Sequence, residues 1–312
     1  MAKTRELKRR IKSINSTKKI TRTMEMVATS KLKRAQDRVV SARPYAQALA
    51  AAIGDLLTPE LAERFPLLRQ PASPAKGGPK AAAVLMITSN RGLAGAFNSN
   101  LIKTAIKRTR ELEGQGYAVS LYAVGKKGIK FFQHLRRSLA LARLDIGDRP
   151  SAAHALELVT PLIAEYEAGR LASLDVVYAN FKSALSTPPA ILKVLPVESS
   201  VGRSVGKSVK GAAAEVTGTD LPTYRPTAWL LKPDADAILT ALLPLYVKNQ
   251  VYRALVETAA SEQGARRTAM KNATDNAGDI LGILTITYNR ARQAQITQEL
   301  AEIVGGAAAL AG

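Results

Sequence analysis

The chain changes its hydrophobic period twice. From Lys3 to about Leu57 apolar residues recur at intervals of three and four, no glycine precedes Gly54, and Pro44 is the only proline; this predicts one or two long helices. On a seven-residue frame Leu7, Ile11, Ile14, Ala28, Leu32, Ala35 and Val39 form a seam interrupted by Lys18, Thr21 and Glu25. Ile20, Met24 and Val27 make a second apolar strip on another face, so the helix is expected to meet neighbours on several sides rather than one permanent partner.

A proline- and glycine-rich connection, PLLRQPASPAKGGPK (Pro66 to Lys80), ends this pattern. Short apolar runs follow at Ala81 to Thr88, Val119 to Val124, Leu174 to Phe181 and Ala190 to Val197, with a weaker one at Leu139 to Ile146. They read as buried strands. Helical patterns lie between them: Asn98 to Glu113, Lys126 to Arg137, and Ser151 to Ala168 with Pro161 inside. Strands alternating with helices predict a central Rossmann-like α/β domain with a mostly parallel sheet.

The segment SSVGRSVGKSVKGAAAEVTGTD (Ser199 to Asp220) reads as a flexible linker. From Pro233 to Leu310 the helical period returns, with Pro244 expected either to kink the helix or to mark its start. Counted by heptads, its seam runs Leu245, Asn249, Tyr252, Val256, Ala259, Gln263, Arg266, Met270, Ala273, Ala277, Ile280, Leu284, Thr287, Ala291. Two long helical ends flanking a compact unit predict a long antiparallel coiled coil of the N- and C-terminal helices. The expected divisions are 1–58 (helix), 59–80 (linker), 81–198 (α/β domain), 199–232 (linker) and 233–312 (helix). Within the last, MKNATDNAGD (Met270 to Asp279) is rich in cap and turn formers. Ala273 and Ala277 are expected to face the N-terminal helix there, with Asn272 and Asn276 turned away.

Charge sharpens the picture. The net charge is +20, and residues 1–43 hold fourteen Lys and Arg against Glu6, Glu25 and Asp37. An anionic partner follows: nucleic acid, acidic lipid or an acidic protein surface. Residues 1–44 contain no aromatic side chain, which disfavours single-stranded nucleic acid, whereas duplex binding through phosphates stays open. The absence of cysteine excludes disulfides, zinc–thiolate sites, iron–sulfur ligation and a cysteine nucleophile. His134 and His154 have no neighbour in sequence that suggests a metal, and are read as surface or satisfied helix residues. With no run of about 18 apolar residues and no secretory leader, the chain is expected in the cytoplasm.

Two glycine motifs invite a nucleotide. GRSVGKS (Gly202 to Ser208) has three residues, not the required four, between its first Gly and the Gly-Lys pair, and lacks a strand running into it. SNRGLAGAFNSN (Ser89 to Asn100) follows a strand and leads into a helix, but lacks the three spaced glycines and the acidic residue ending the second strand. A tight turn capped by Asn98 explains it as well.

The runs IKSINSTKKITRTMEMVATSKLKRAQ, SNRGLAGAFN, SEQGARRTAMKNATDNAGD and LTITYNRARQAQITQELAEIVGGAAAL resemble the gamma subunit of F-type ATP synthase of the bacterial type. The resemblance implies a non-catalytic rotor without cofactor. It implies one copy per complex, paired terminal helices inside an alpha–beta hexamer, and the α/β domain beside epsilon and the membrane ring of c subunits. Proton-driven rotation would be coupled to ATP synthesis, and the reverse to hydrolysis, at the cytoplasmic face of the inner membrane. Arg266, Arg292, Gln293 and Thr297 match positions that meet the beta subunit, Met24 one near the beta lever region, and Ile303, Val304, Ala308 and Leu310 the tip in the upper bearing. Asn90 and Ala94 depart from the common SDRGLCG, and the missing cysteines exclude the dithiol switch of the chloroplast form. A nucleic-acid-binding protein with basic arms and a dinucleotide enzyme are the competing readings.

Overall fold

A computed structural model describes residues 2–56, 64–69, 80–197 and 234–311. The segments 199–232 and most of 59–80, with the GRSVGKS motif, lie outside the described residues. The elements are α1 (Ala2–Leu56), β1 (Ala81–Ile87), α2 (Phe97–Gly114), β2 (Ala118–Val124), α3 (Lys126–His134), β3 (Leu141–Arg143), α4 (Ala152–Glu167), β4 (Ser173–Ala179), β5 (Pro189–Leu195) and α5 (Ala235–Ala311).

The sheet has the order β3-β2-β1-β4-β5, parallel except for β5. Helical crossovers join the parallel strands, whereas β4 and β5 are linked by a short hairpin connection that permits only antiparallel pairing. Alternation along β1 divides the core: Ala82, Val84 and Met86 face α2 and α3 through Leu101, Ala105, Ile129 and Phe132. Ala83, Leu85 and Ile87 face the opposite layer, built from α4, the end of α1 (Leu49, Ile53) and the start of α5 (Leu239, Leu243, Val247, Val251). Each fully buried Leu or Ile contributes roughly 1.5–3 kcal/mol of transfer free energy, so the inner ends of both terminal helices are anchored on the sheet.

From that anchor the two terminal helices leave together. Leu32, Ala35 and Val39 pack with Val256, Ala260 and Phe181. Higher up, Thr21 meets Thr274 and Thr4 meets Gln295. One residue number falls as the other climbs, so the pair is antiparallel. The α5 helix has 77 residues against 55 for α1, about 115 Å against about 80 Å at 1.5 Å per residue. Beyond Gln295 it continues as a single helix.

The α1 seam follows the expected frame, and its polar interruptions Lys18, Thr21 and Glu25 also lie in the interface, half-buried or buried. Pro44, Pro161 and Pro244 all lie inside continuous helices, so Pro244 does not start α5. The α5 seam needs two corrections. Leu245 is 41% exposed, because Leu243, Tyr246 and Val247 turn inward instead. Above Met270 the facing positions are Thr274, Ala277, Leu281, Leu284, Tyr288, Ala291 and Gln295, while Ile280 and Thr287 are exposed. In MKNATDNAGD, Thr274 and Ala277 are buried and Ala273 is half-buried, with Asn272, Asp275 and Asn276 exposed. Gly278 lets the Lys18 ammonium approach: a Cβ there would lie 3.0 Å from its Nζ.

Candidate functional site

The shaft and the α/β unit meet at the carboxyl ends of the strands, where open α/β sheets ordinarily receive ligands. After β1, Thr88 donates its N–H to Val124 O at 2.8 Å, and its hydroxyl accepts from the Gly128 N–H at 3.0 Å. Gly125, at φ 96°, makes this closeness possible, since any Cβ would strike the Thr88 carbonyl.

The following turn is tied from both sides. Asn98 is not the helix cap: Ala96 occupies that position, and Asn98 Oδ1 instead accepts from Ser89 N and Ser89 Oγ at 3.0 Å each. Asn90 donates through Nδ2 to Leu144 O and Ile146 O at 3.0 Å and accepts the Lys126 N–H at 2.9 Å. It thereby joins the loops after β1, β2 and β3. An aspartate at this position would have no donor for the two carbonyls. Leu93 takes φ 60° and is 60% exposed, while Ala94 and Phe97 after it are buried.

The crevice between β1 and β4 is filled by the chain itself. Thr258 Oγ1 of α5 accepts the Ala179 N–H at 3.2 Å, Ser261 Oγ donates to Ala179 O at 3.2 Å, and Glu257 Oε2 accepts the Phe181 N–H at 3.4 Å. Gly264 brings α5 against the Ala184 carbonyl. A dinucleotide would have to displace this helix.

Beside the crevice, the shaft is latched to the loops. Lys31 Nζ lies 2.5 Å from Asp148 Oδ2, and Arg38 Nη1 donates to Asp148 O at 3.3 Å. Burial would raise the Asp148 pKa, but the Lys31 hydrogen bond and charge outweigh it and hold the carboxyl below its ordinary value. Arg266 Nη2 donates to Gly92 O at 3.2 Å and pairs with Glu262 Oε1 at 2.6 Å. Burial pushes the Glu262 carboxyl up despite that arginine.

Of the residues singled out from sequence, Arg266 and Met24 come together at a groove of about 330 Å³ lined also by Val27, Leu93 and Lys31. Arg266 is only 8% exposed and internally paired; Met24 is half-buried. Arg292, Gln293 and Thr297 lie much higher on α5, fully on its exposed face. Ile303 and Val304, 67% and 66% exposed, stand on the single-helix overhang, and Ala308 and Leu310 occupy its last turns. His154 forms a capping box with Ser151, its Nδ1 accepting the Ser151 N–H at 3.2 Å, and His134 ends α3. Sequence reasoning missed Asp148, Glu262 and Gln263. The two acids could have been found as the few carboxylates near a basic helix; Gln263 gave no chemical signal beyond its seam position.

Geometry thus defines a class: a two-helix shaft braced by an α/β collar whose ligand crevice is plugged by its own C-terminal helix. A family model described as ATP synthase matches residues 3–310. An ATP synthase gamma chain of Gemmatimonas aurantiaca is 54% identical over 312 residues, covering 100% of both chains. That of Streptomyces coelicolor is 41% identical over 314 residues, covering 99% of this chain and 97% of the relative. The chain belongs to the ATP synthase gamma-chain family. The fold is shared with a chain of the Euglena gracilis mitochondrial ATP synthase OSCP/F1/c-ring structure in rotational state 3, at TM-score 0.67 and 21% identity, covering 99% and 95% of the two chains. A chain of the same organism's ATP synthase rotor in rotational state 1 gives TM-score 0.61 at 20% identity, covering 95% and 99%. Among the described residues no helix is long and apolar enough to cross a membrane.

Proposed function

We propose that this chain is the central-stalk rotor of a proton-driven F-type ATP synthase. One copy stands inside the alpha–beta hexamer and is joined below to epsilon and the c-subunit ring, at the cytoplasmic face of the bacterial membrane. It is not itself catalytic. The observation that carries the reading is the shaft: α1 and α5 paired antiparallel for most of α1, asymmetric in length, with an α5 overhang bearing exposed Ile296, Leu300, Ile303 and Val304. Among the described residues nothing covers the apolar face of this tip, which suits an apolar sleeve.

Coupling requires only that the shaft contact beta conformations unequally at each orientation, since a ligand shifts an equilibrium by its differential affinity for the two states. Arg292, Gln293 and Thr297 supply polar contacts at one height and Met24 at a lower one, where Arg266 holds the Gly92 carbonyl and so sets the groove's wall. Exposed ion pairs of about 0–1 kcal/mol each can form and break without trapping rotation. The test is reconstitution of the full chain with alpha and beta subunits, following co-elution and ATPase activity. A stoichiometric complex with stimulated turnover is expected. Absence of a complex where an established gamma subunit assembles, or salt-sensitive duplex DNA binding in its place, rejects the rotor.

A further inference from the structure

On the outer side of the Lys31–Asp148 latch lies a cavity of about 630 Å³, enclosed by α1, the turn after β1 and the loop after β3. Its cations come from two directions: Lys31, Arg34 and Arg38 from successive turns of α1, and Arg91 and Arg149 from the loops. Asp145 and Asp148 are the opposing carboxylates. Lys31 is engaged by Asp148, whereas no ion pair within the described residues engages Arg91 or Arg149. Gln263 lines the cavity from α5; it is 2% exposed, and neither its Nε2 nor its Oε1 has a hydrogen-bond partner. A buried carboxamide open at both donor and acceptor has lost its water without replacement, a deficit that a ligand with both kinds of group removes.

We propose that this cavity binds a small metabolite carrying linked phosphates, with the arginines on the phosphate oxygens and Gln263 on its polar remainder. Arginine forks match phosphate oxygens bidentately. The volume falls in the range of small-molecule sites, roughly 300–1,000 Å³, and well exceeds a single phosphate. The cavity also sits at the carboxyl ends of β1 and β3, the side from which such sheets present ligands, displaced from the crevice that α5 occupies. An extended acidic protein segment would use the same charges, but would leave the unpaired carboxamide of Gln263 beside them unanswered. The proposal does not depend on the rotor reading, because the site lies wholly within this chain.

Pyrophosphate and ADP are titrated into the full chain by calorimetry at constant ionic strength, with a hexaglutamate peptide as the third arm. One saturable site for pyrophosphate or ADP is expected. Tighter binding of ADP identifies a nucleotide, and equal binding a bare phosphate chain. The double variant Arg34→Gln/Arg91→Gln weakens it at least tenfold and Gln263→Leu, which leaves charge unchanged, at least threefold. Arg5→Gln/Arg9→Gln removes the same charge far along α1 and leaves affinity within twofold. Equal weakening by both double variants, non-saturating binding, or saturable binding of hexaglutamate alone overturns the proposal.

Discussion

Thr274 and Thr21, 253 positions apart in sequence, share a 2.7 Å hydrogen bond with both side chains buried between the shaft helices. Thr274 Oγ1 donates to Thr21 Oγ1, which donates onward to Lys18 O at 3.1 Å. The bond fixes the register of the pair at the height where MKNATDNAGD is richest in poor helix formers, so tertiary pairing offsets weak local propensity.

Removing one hydroxyl takes the interhelical bond from the other, which keeps a carbonyl of its own helix: Lys18 O for Thr21 at 3.1 Å and Met270 O for Thr274 at 2.8 Å. Thr21→Val or Thr274→Val alone is expected to destabilise the full chain by about 0.5–1.5 kcal/mol, the net worth of one hydrogen bond. The double variant should lose less than the sum of the two, because two apolar groups of the same shape replace a matched pair. Urea unfolding followed by helical circular dichroism gives the coupling energy; strictly additive single losses would show that the hydroxyls act separately.

Much of the architecture was legible in the period of apolar residues: five strands, the terminal helices, and the α1 seam through Leu32, Ala35 and Val39. The α5 seam slipped because the strict heptad count ran through Ala273 rather than its neighbour Thr274. Thr274 is polar yet faces inward, so the frame passed through Ile280 and Thr287 instead of Leu281 and Tyr288. An ideal helix also drifts about 20° per heptad from a strict seven-residue repeat. Asn98 was misplaced because α2 begins one residue earlier than expected, at Phe97, which turns the side chain back to Ser89. Lys31–Asp148 and Arg266–Gly92 could not be read at all: separations of 117 and 174 positions close only through the fold.

Two glycines should respond oppositely to the same change. Gly125→Ala forces a left-handed conformation on alanine and drives its Cβ into the Thr88 carbonyl. A loss of about 3 kcal/mol or more is expected from strain and displaced backbone together. Gly282, in the middle of α5, has nothing within 4 Å of a built Cβ, so Gly282→Ala should stabilise the full chain by about 0.5–1 kcal/mol through helix propensity. Thermal unfolding of both variants checks the contrast, and a stabilised Gly125→Ala would refute the account of the β1–β2 turn.

The acid limb of stability should carry Asp145. The Arg143 guanidinium, bonded at 2.6 and 2.8 Å, holds its carboxyl at about 2, below the ordinary 3.8. A depressed folded value means stability present above about pH 4 and lost as pH falls toward 2. Glu262 behaves in the opposite sense: burial raises it above 4.5, so its contribution grows as pH falls through the folded value and is lost above it. Carboxyl NMR titration should therefore find Glu262 protonating first and Asp145 last as pH is lowered, and Asp145→Asn should flatten the unfolding curve between pH 4 and 2.

Arginines 266 and 292 separate structural from partner-facing roles. Arg266→Ala leaves Glu262, 7% exposed, without its ion pair and frees the Gly92 carbonyl. Breaking a buried pair costs about 3–5 kcal/mol, so the isolated full chain should be visibly destabilised. Arg292→Ala/Gln293→Ala alters only exposed side chains and should shift stability by no more than about 0.5 kcal/mol. In the complex with alpha and beta subunits the order should invert for function. Arg292→Ala/Gln293→Ala should lower ATP-driven turnover or assembly more than changes at His134 or His154, at unchanged shaft stability. Measuring unfolding and ATPase activity on the same preparations distinguishes the two. Equal, negligible effects on turnover from the α5 pair and the histidines would remove the upper polar contacts from the coupling surface and leave the Met24 groove to carry it.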